Sequence, residues 1–243
     1  MKRDAAIISV RASSVSSKVP VKARPVEVAV PVRAVVLDVG ETIMSDTTFW
    51  GLWADWVDVP RHTLSGLVGA VTALGMNNVE ALKLVRPGFD LAEERAKREA
   101  SGHGEQITEA DLYPDARPAL QALRERGLWV GIAGNQTERA GELLAELELP
   151  VDAIATSGAW GVAKPDLKFF ARVAEWAPAE PGEIVYVGDH RDNDIIPAKQ
   201  YGLRTAHVRR GTLGYLQAND PALKEAADWQ IDSLLELRDL VAG

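Results

Sequence analysis

Short apolar runs that stop at polar or glycine residues recur along the chain, and the stretches between them repeat apolar residues at helical spacing. Ala34-Val35-Val36-Leu37 stops at Asp38, with Gly40 close behind, the pattern of a buried strand ending at a turn. Residues 128–133 stop at Gly134-Asn135, residues 151–156 before Gly158, residues 184–187 at Gly188-Asp189, and residues 205–208 at Arg209-Arg210-Gly211. Between them, residues 116–126 carry Leu120 and Leu123 ahead of Gly127, a helix stop. Residues 137–147 repeat Ala140, Leu143, Leu144 and Leu147 behind Thr137, a candidate N-cap. A helix over 166–177 opens after Pro165, where a proline is tolerated, and Asp192 to Tyr201 forms another. Strands alternating with helices predict an α/β fold with a parallel sheet covered on both faces. Such sheets bind ligands beyond the carboxyl ends of their strands, where Asp38, Asn135 and Asp189 fall.

Residues 46–112 interrupt the alternation. They hold no strand-like run and read as helices over 47–57, 62–75, 78–85 and 90–100, then a Gly-rich loop at 101–104. The organisation expected is an α/β core from 33–45 and 113–243, with an all-helical cap at 46–112. Residues 1–32 read as a disordered extension, rich in Ser and Val with prolines at 20, 25 and 31. Asp4, Arg11 and Lys18 break up any signal-like apolar run there.

Composition narrows the function classes. Of 243 residues, 47% are apolar and 26% charged, as in ordinary globular proteins, and no cysteine is present. Disulfides, thiolate metal sites and cysteine nucleophiles are thereby excluded, and a reducing cytoplasm fits. Net charge is −8: residues 1–33 hold seven Lys/Arg against Asp4 and Glu27, which leaves −13 on the other 210 residues. An acidic body argues against a nucleic-acid surface and suits a divalent cation. No stretch reaches the ~18–20 apolar residues of a membrane span. The expectation is a cytoplasmic monomer or homodimer with no membrane or nucleic-acid partner.

Asp38-Val39-Gly40-Glu41-Thr42, then Gly134-Asn135, then Lys164-Pro165-Asp166, then Gly188-Asp189 through Asn193-Asp194 stand at successive strand ends. In order and position this set resembles the four signature motifs of the haloacid dehalogenase-like hydrolases, over about residues 33–211. The helical segment after the first strand is similar to the cap of that family. The resemblance implies a Rossmann-like sheet in the order 5-4-1-2-3 and a magnesium-assisted phosphatase acting on a small phosphorylated metabolite. Asp38 is the implied nucleophile, forming an aspartyl-phosphate that splits one hard displacement into two easier ones. Asp189, Asp194, Asp38 and the Gly40 carbonyl are the implied Mg2+ ligands; few protein oxygens plus water and phosphate is how magnesium is usually held. Lys164 opposes the charge on Asp38 and the phosphoryl group, and Asn135 with the amide after Gly134 donates to phosphoryl oxygens.

Two motif positions depart from the family. Its phosphatases usually carry an acid–base Asp where Gly40 stands, and losing one typically costs about 10²–10⁴-fold in rate. Glu41 is a candidate substitute. Gly134 stands where Ser or Thr is usual, removing a hydroxyl. Thr42 is expected to support the loop, Asp192 to cap a helix, and His190 and Arg191 to be exposed. Trp50, Trp53 and Trp56 share one helix face, forming cap core or, for Trp53, lining the substrate pocket. Arg86 is the other named cap contact, with Arg61 and His62 behind it. The alternatives are a 2-haloacid dehalogenase, a phosphonatase using Lys83 or Lys97, and a catalytically weakened member with a binding role.

Overall fold

All four side chains of β1 (Ala34–Leu37) are buried, because the strand is central and covered on both faces. The computed structural model describes residues 30–241. The extension expected over 1–32 therefore lies outside the described residues as far as residue 29. In chain order, β1 leads into α1 (Thr47–Trp56), α2 (Arg61–Ala73), α3 (Glu80–Val85), α4 (Leu91–Ala100) and α5 (Ala116–Glu125). There follow β2 (Trp129–Gly134), α6 (Glu138–Glu146), β3 (Ala153–Thr156), α7 (Ser157–Trp160), α8 (Leu167–Trp176) and β4 (Ile184–Gly188). A π-helical turn at Arg191–Ile195 precedes α9 (Ile196–Tyr201), β5 (Arg204–Val208), α10 (Gly211–Gln217), α11 (Pro221–Ala226), β6 (Trp229–Ile231) and α12 (Leu237–Leu240).

The sheet is parallel, in the order β3-β2-β1-β4-β5-β6. Five strands take the expected order, and β6 adds an edge strand beyond β5. From β1 the chain builds outward through β2 and β3, then returns to β4 on the other side. That reversal opens a crevice beyond the carboxyl ends of β1 and β4. Side chains alternate across the sheet: Val35 and Leu37 join Leu120, Leu123 and Leu144 on one face, and Val36 and Tyr186 join Phe169, Phe170 and Val173 on the other. Burying each large side chain stabilises the fold by roughly 1.5–3 kcal/mol.

Helix ends follow local chemistry. The Thr137 hydroxyl accepts from the Ala140 amide at 2.9 Å and caps α6, and Gly127 at φ 78° turns the chain out of α5. The helix expected from Asp192 to Tyr201 opens instead as the π turn. Pro197 has no N–H to give the Asn193 carbonyl, so the regular ladder cannot run through that point.

Helices α1–α4 carry an apolar cluster of their own, built on Trp50, Trp53, Leu64, Leu82 and Phe89. The chain leaves and rejoins the sheet along adjacent segments: the Ser45 amide donates to the Asp111 carbonyl at 2.8 Å, and the Tyr113 amide to the Ile43 carbonyl at 2.9 Å. These pairings set the helices over the mouth of the crevice. No helix among the described residues is long and apolar enough to cross a membrane.

Leu120 is fully buried under the sheet. Leu120→Ala is expected to lower unfolding stability by about 2–5 kcal/mol, read from urea denaturation.

Candidate active site

Asp38 is the first residue past β1, and its amide donates to the Val187 carbonyl at 2.9 Å, tying it to β4. The residue is 8% exposed, with Oδ1 2.6 Å from Lys164 Nζ. Lys164 Nζ is equally 2.6 Å from Asp194 Oδ1, so one buried ammonium bridges two carboxylates from different motifs. Asp194 is fully buried, and its Oδ2 accepts the His190 amide at 2.9 Å. Asp189 completes the set: oxygens of Asp38, Asp189 and Asp194 all lie within 4.8 Å of one another. His207, buried beneath them, holds the Asp189 carbonyl through Nε2 at 2.9 Å.

Asn135 clasps the Lys164 backbone on both sides. Its Nδ2 donates to the Lys164 carbonyl at 2.9 Å and its Oδ1 accepts the Lys164 amide at 2.8 Å. Asn135, expected to donate to phosphoryl oxygens, thus uses its side-chain amide to fix the lysine while it lines the cavity around Asp38. Asp166 caps α8 by accepting the Lys168 amide at 2.9 Å, which steadies the same segment from behind.

Burial disfavours the Lys164 charge, but Asp194 and Asp38 more than offset that and hold its pKa well above the usual lysine value. Burial pushes the Asp38 carboxyl up to about 6 despite Lys164. Asp189 is raised well above the ordinary carboxylate range by burial, then by Asp194, Asp38 and Glu41. Three buried carboxylates facing one ammonium leave surplus negative charge. Oxygen donors with unmatched negative charge suit a hard divalent cation, so this site fits magnesium.

The glycines in the motifs are dictated by close approach. A Cβ on Gly134 would stand 2.4 Å from Asp38 Oδ1, so the nucleophile candidate packs where a Ser or Thr side chain would begin. A Cβ on Gly188 would meet Asp194 Oδ2 at 2.3 Å. At Gly40 the obstacle is Asp46: its Oδ1 lies 2.8 Å from where a Cβ would be. Asp46 lines the cavity around Asp38, and burial, with Glu41 and Asp38 nearby, pushes its carboxyl up to about 7. Glu41 is engaged elsewhere, since its carboxylate accepts the Asp46 amide at 3.0 Å and the Tyr113 hydroxyl. It clamps the loop and does not line that cavity.

A sequence profile described as haloacid dehalogenase-like hydrolase matches residues 32–202. The chain belongs to the haloacid dehalogenase-like hydrolases. Over 132 residues it is 36% identical to a glyceraldehyde 3-phosphate phosphatase of Methanocaldococcus jannaschii, covering 53% of this chain and 56% of that one. A phosphoserine phosphatase of Thermus thermophilus is 29% identical over 149 residues, covering 60% and 57%. The chain spans about half the length of the curated relatives it matches. A HAD-hydrolase of Bacillus subtilis, solved bound to magnesium, superposes with TM-score 0.64 at 19% identity, covering 88% of this chain and 100% of that one, and shares its fold.

In this haloacid dehalogenase-like hydrolase the crevice holds a cavity of about 510 Å³, reached by Asp38, Gly40, Asn135, Lys164, Asp189 and Asp194 from the sheet and by Trp50 and Trp53 from the helices. Trp53, 1% exposed, serves both as core and as cavity wall. Arg86, expected as a substrate contact, is turned away. It pairs with Glu94 at 3.2 Å, donates to the Trp56 carbonyl, and does not line the cavity. Arg61 pairs with Asp55, His62 is exposed, and Lys83 and Lys97 pair with Glu80 and with Glu93 and Glu94, all outside the cavity. Thr42 is fully buried in the loop, and its carbonyl accepts from Arg210 at 2.8 Å. His190, expected to be exposed, is half-buried, lines the cavity and caps the π turn through Nδ1. Arg191, also half-buried, pairs with Asp192 and Asp220.

Lys164→Met strips both carboxylates of their counter-ion. Breaking a buried pair from one side typically costs about 3–5 kcal/mol, so the unfolding free energy in metal-free buffer is expected to fall by that amount.

Proposed function

We propose that this hydrolase is a magnesium-dependent phosphatase acting on a small phosphorylated metabolite through an aspartyl-phosphate on Asp38. The observation that carries the proposal is the buried Lys164 ammonium held 2.6 Å from both Asp38 and Asp194, with Asp189 alongside, at the base of a cavity of about 510 Å³. The names of the relatives, among them glyceraldehyde 3-phosphate and phosphoserine phosphatases, point the same way. Asp38, Asp189 and Asp194 would hold magnesium, whose charge lets a phosphoryl anion approach a carboxylate.

Asp38 Oδ attacks phosphorus, the bond to the ester oxygen breaks, and the alcohol leaves with a proton. Water then attacks the aspartyl-phosphate, releasing phosphate and restoring Asp38. Lys164 stabilises the charge on the transferring group, and Asn135 keeps the lysine aimed. The proton donor is Asp46, which approaches the reacting centre from α1's side and stands where a side chain at position 40 would reach. It gives its proton to the leaving oxygen and takes one from the attacking water. The missing acid at Gly40, which favoured a weakened member, is thereby answered from six residues downstream.

A panel of phosphomonoesters tests the assignment. Turnover is expected with magnesium, to vanish with EDTA, to return when magnesium is restored, and to fall by about 10⁴-fold or more in Asp38→Asn. Halide release from 2-haloacids that survives chelation would overturn it in favour of a dehalogenase. For the proton donor, Asp46→Asn is expected to lose about 10²–10⁴-fold on alkyl phosphates. The loss should be much smaller on p-nitrophenyl phosphate, whose leaving group needs no proton. Combining Gly40→Asp with Asp46→Gly should recover part of the alkyl phosphate rate; equal losses on both substrate types would remove Asp46 from the chemistry.

A further inference from the structure

Arg98, on α4, is 6% exposed, yet its buried Nε has no hydrogen-bond partner. Among the described residues its guanidinium joins no ion pair: Glu94 is matched by Arg86 and Lys97 and Glu93 by Lys97, while Glu99 and Glu105, which line the same cavity, lie beyond ion-pair distance of it. Its one close companion is the Trp53 ring, with the guanidinium carbon 4.2 Å from the ring centroid. Burial pulls its pKa below the usual arginine value, Glu105 opposing that and Arg95 adding to it. Glu105 is meanwhile engaged by the Thr137 hydroxyl. A buried cation that faces an aromatic wall and joins no ion pair is unusual: arginine is almost never fully buried unless paired.

Arg98 lines a second cavity of about 270 Å³ with Phe49, Leu52, Trp53 and Arg95, and with the acids Glu99 and Glu105. Phe49, Trp53, Arg95 and Thr137 also line the cavity around Asp38, so the two spaces share a wall and one molecule can reach both. Arg95 lies one helical turn before Arg98 on the same face of α4, exposed and without an ion pair among the described residues. Lys164, at the far end, is fully engaged by Asp38 and Asp194. Arg95 and Arg98 are therefore the cationic groups left to meet a negative charge on the part of a substrate distant from Asp38.

We infer that Arg98 and Arg95 form an anion subsite in the helical module, and that the substrate is a phosphate monoester carrying a second anionic group. This rests on the phosphatase assignment above and adds the substrate class. The second anion, carboxylate or phosphate, supplies the partner that Arg98 lacks, while Trp53 and Phe49 flank the carbon skeleton. Guanidinium donors match either oxyanion in the same fork geometry.

Matched substrates test it on the magnesium-loaded full chain: butyl phosphate, 4-(phosphonooxy)butanoate and butane-1,4-diol bisphosphate. The wild type is expected to prefer the dianionic pair over butyl phosphate in kcat/KM, and the better of the two identifies the second group. Arg98→Met keeps a long stem over Trp53 and removes the charge. It should reduce the preference ratio by about 10- to 100-fold, the usual worth of a hydrogen bond to a charged group. Arg95→Met, at an exposed position, should reduce it in the same direction and guards against an Arg98 variant that fails to fold.

A second readout needs no turnover. Succinate, which has no ester to cleave, should raise the thermal unfolding midpoint of the wild type and not that of Arg98→Met. Hydrolysis of all three esters at equal kcat/KM, with the ratio unmoved by either variant, overturns the subsite and leaves the phosphatase standing. Succinate stabilisation that depends on Arg98, with no ester hydrolysed, keeps the subsite and sinks the phosphatase. Succinate stabilisation of wild type and Arg98→Met alike, or of neither, also overturns the subsite.

Discussion

A single buried ammonium organises this molecule's chemistry. Lys164 Nζ sits 2.6 Å from carboxylates that arrive from β1 and from the turn after β4, so three separate segments converge on one charge. At that distance, with an effective dielectric of about 20, each contact is worth on the order of 6 kcal/mol of attraction, while desolvating each ion costs several. The balance is favourable only with the groups held in register. That explains the effort spent on the lysine's backbone: Asn135 fixes its amide and carbonyl, and Asp166 anchors the helix that follows. Asp189 stands beside this pair, and burial with the neighbouring acids raises its carboxyl well above the ordinary carboxylate range.

The same crowding accounts for the motif positions that depart from the family. Gly134 and Gly188 touch carboxylate oxygens of Asp38 and Asp194, and any Cβ would displace the groups the lysine holds. A hydroxyl-bearing residue at 134 is therefore incompatible with this arrangement of Asp38. At Gly40 the missing side chain leaves room that Asp46 occupies. A carboxyl group is retained beside position 40, but it is delivered from the N-terminal end of α1.

The apolar runs made the architecture readable because parallel central strands are buried on both faces and end abruptly where the chemistry begins. Asp38, Lys164, Asp189 and Asp194 could be identified because their spacing along the chain reflects strand ends. β6 escaped notice, since three edge residues with Gln230 exposed make no run. Asp46 was hidden for a different reason: its relation to Gly40 exists only through space, across a turn in which Glu41 takes φ 52°. Arg86 beside Pro87-Gly88 signalled a loop but not its direction, and the chain turns it away from the cavity, against Glu94. Arg98 lies in a helix dense with charge, where sequence alone cannot distinguish the one buried arginine from its solvated neighbours.

The helices over the crevice therefore differ in kind from the sheet beneath. At the sheet's carboxyl ends the buried cations Lys164 and Arg210 are paired with carboxylates, and substitutions there disturb the candidate site itself. In the helices several acids are neutralised locally: Glu94 by Arg86 and Lys97, Asp55 by Arg61, Glu80 by Lys83. Local neutralisation removes those side chains from long-range recognition and leaves the field over the cavity to the unmatched groups. Asp46 and Arg95 line the cavity around Asp38, and Arg98 lines the adjoining one. These groups lie at opposite ends of the same insertion, Asp46 ahead of α1 and the two arginines on α4, and the paired segments around Ser45 and Asp111 bring those ends back to a common base.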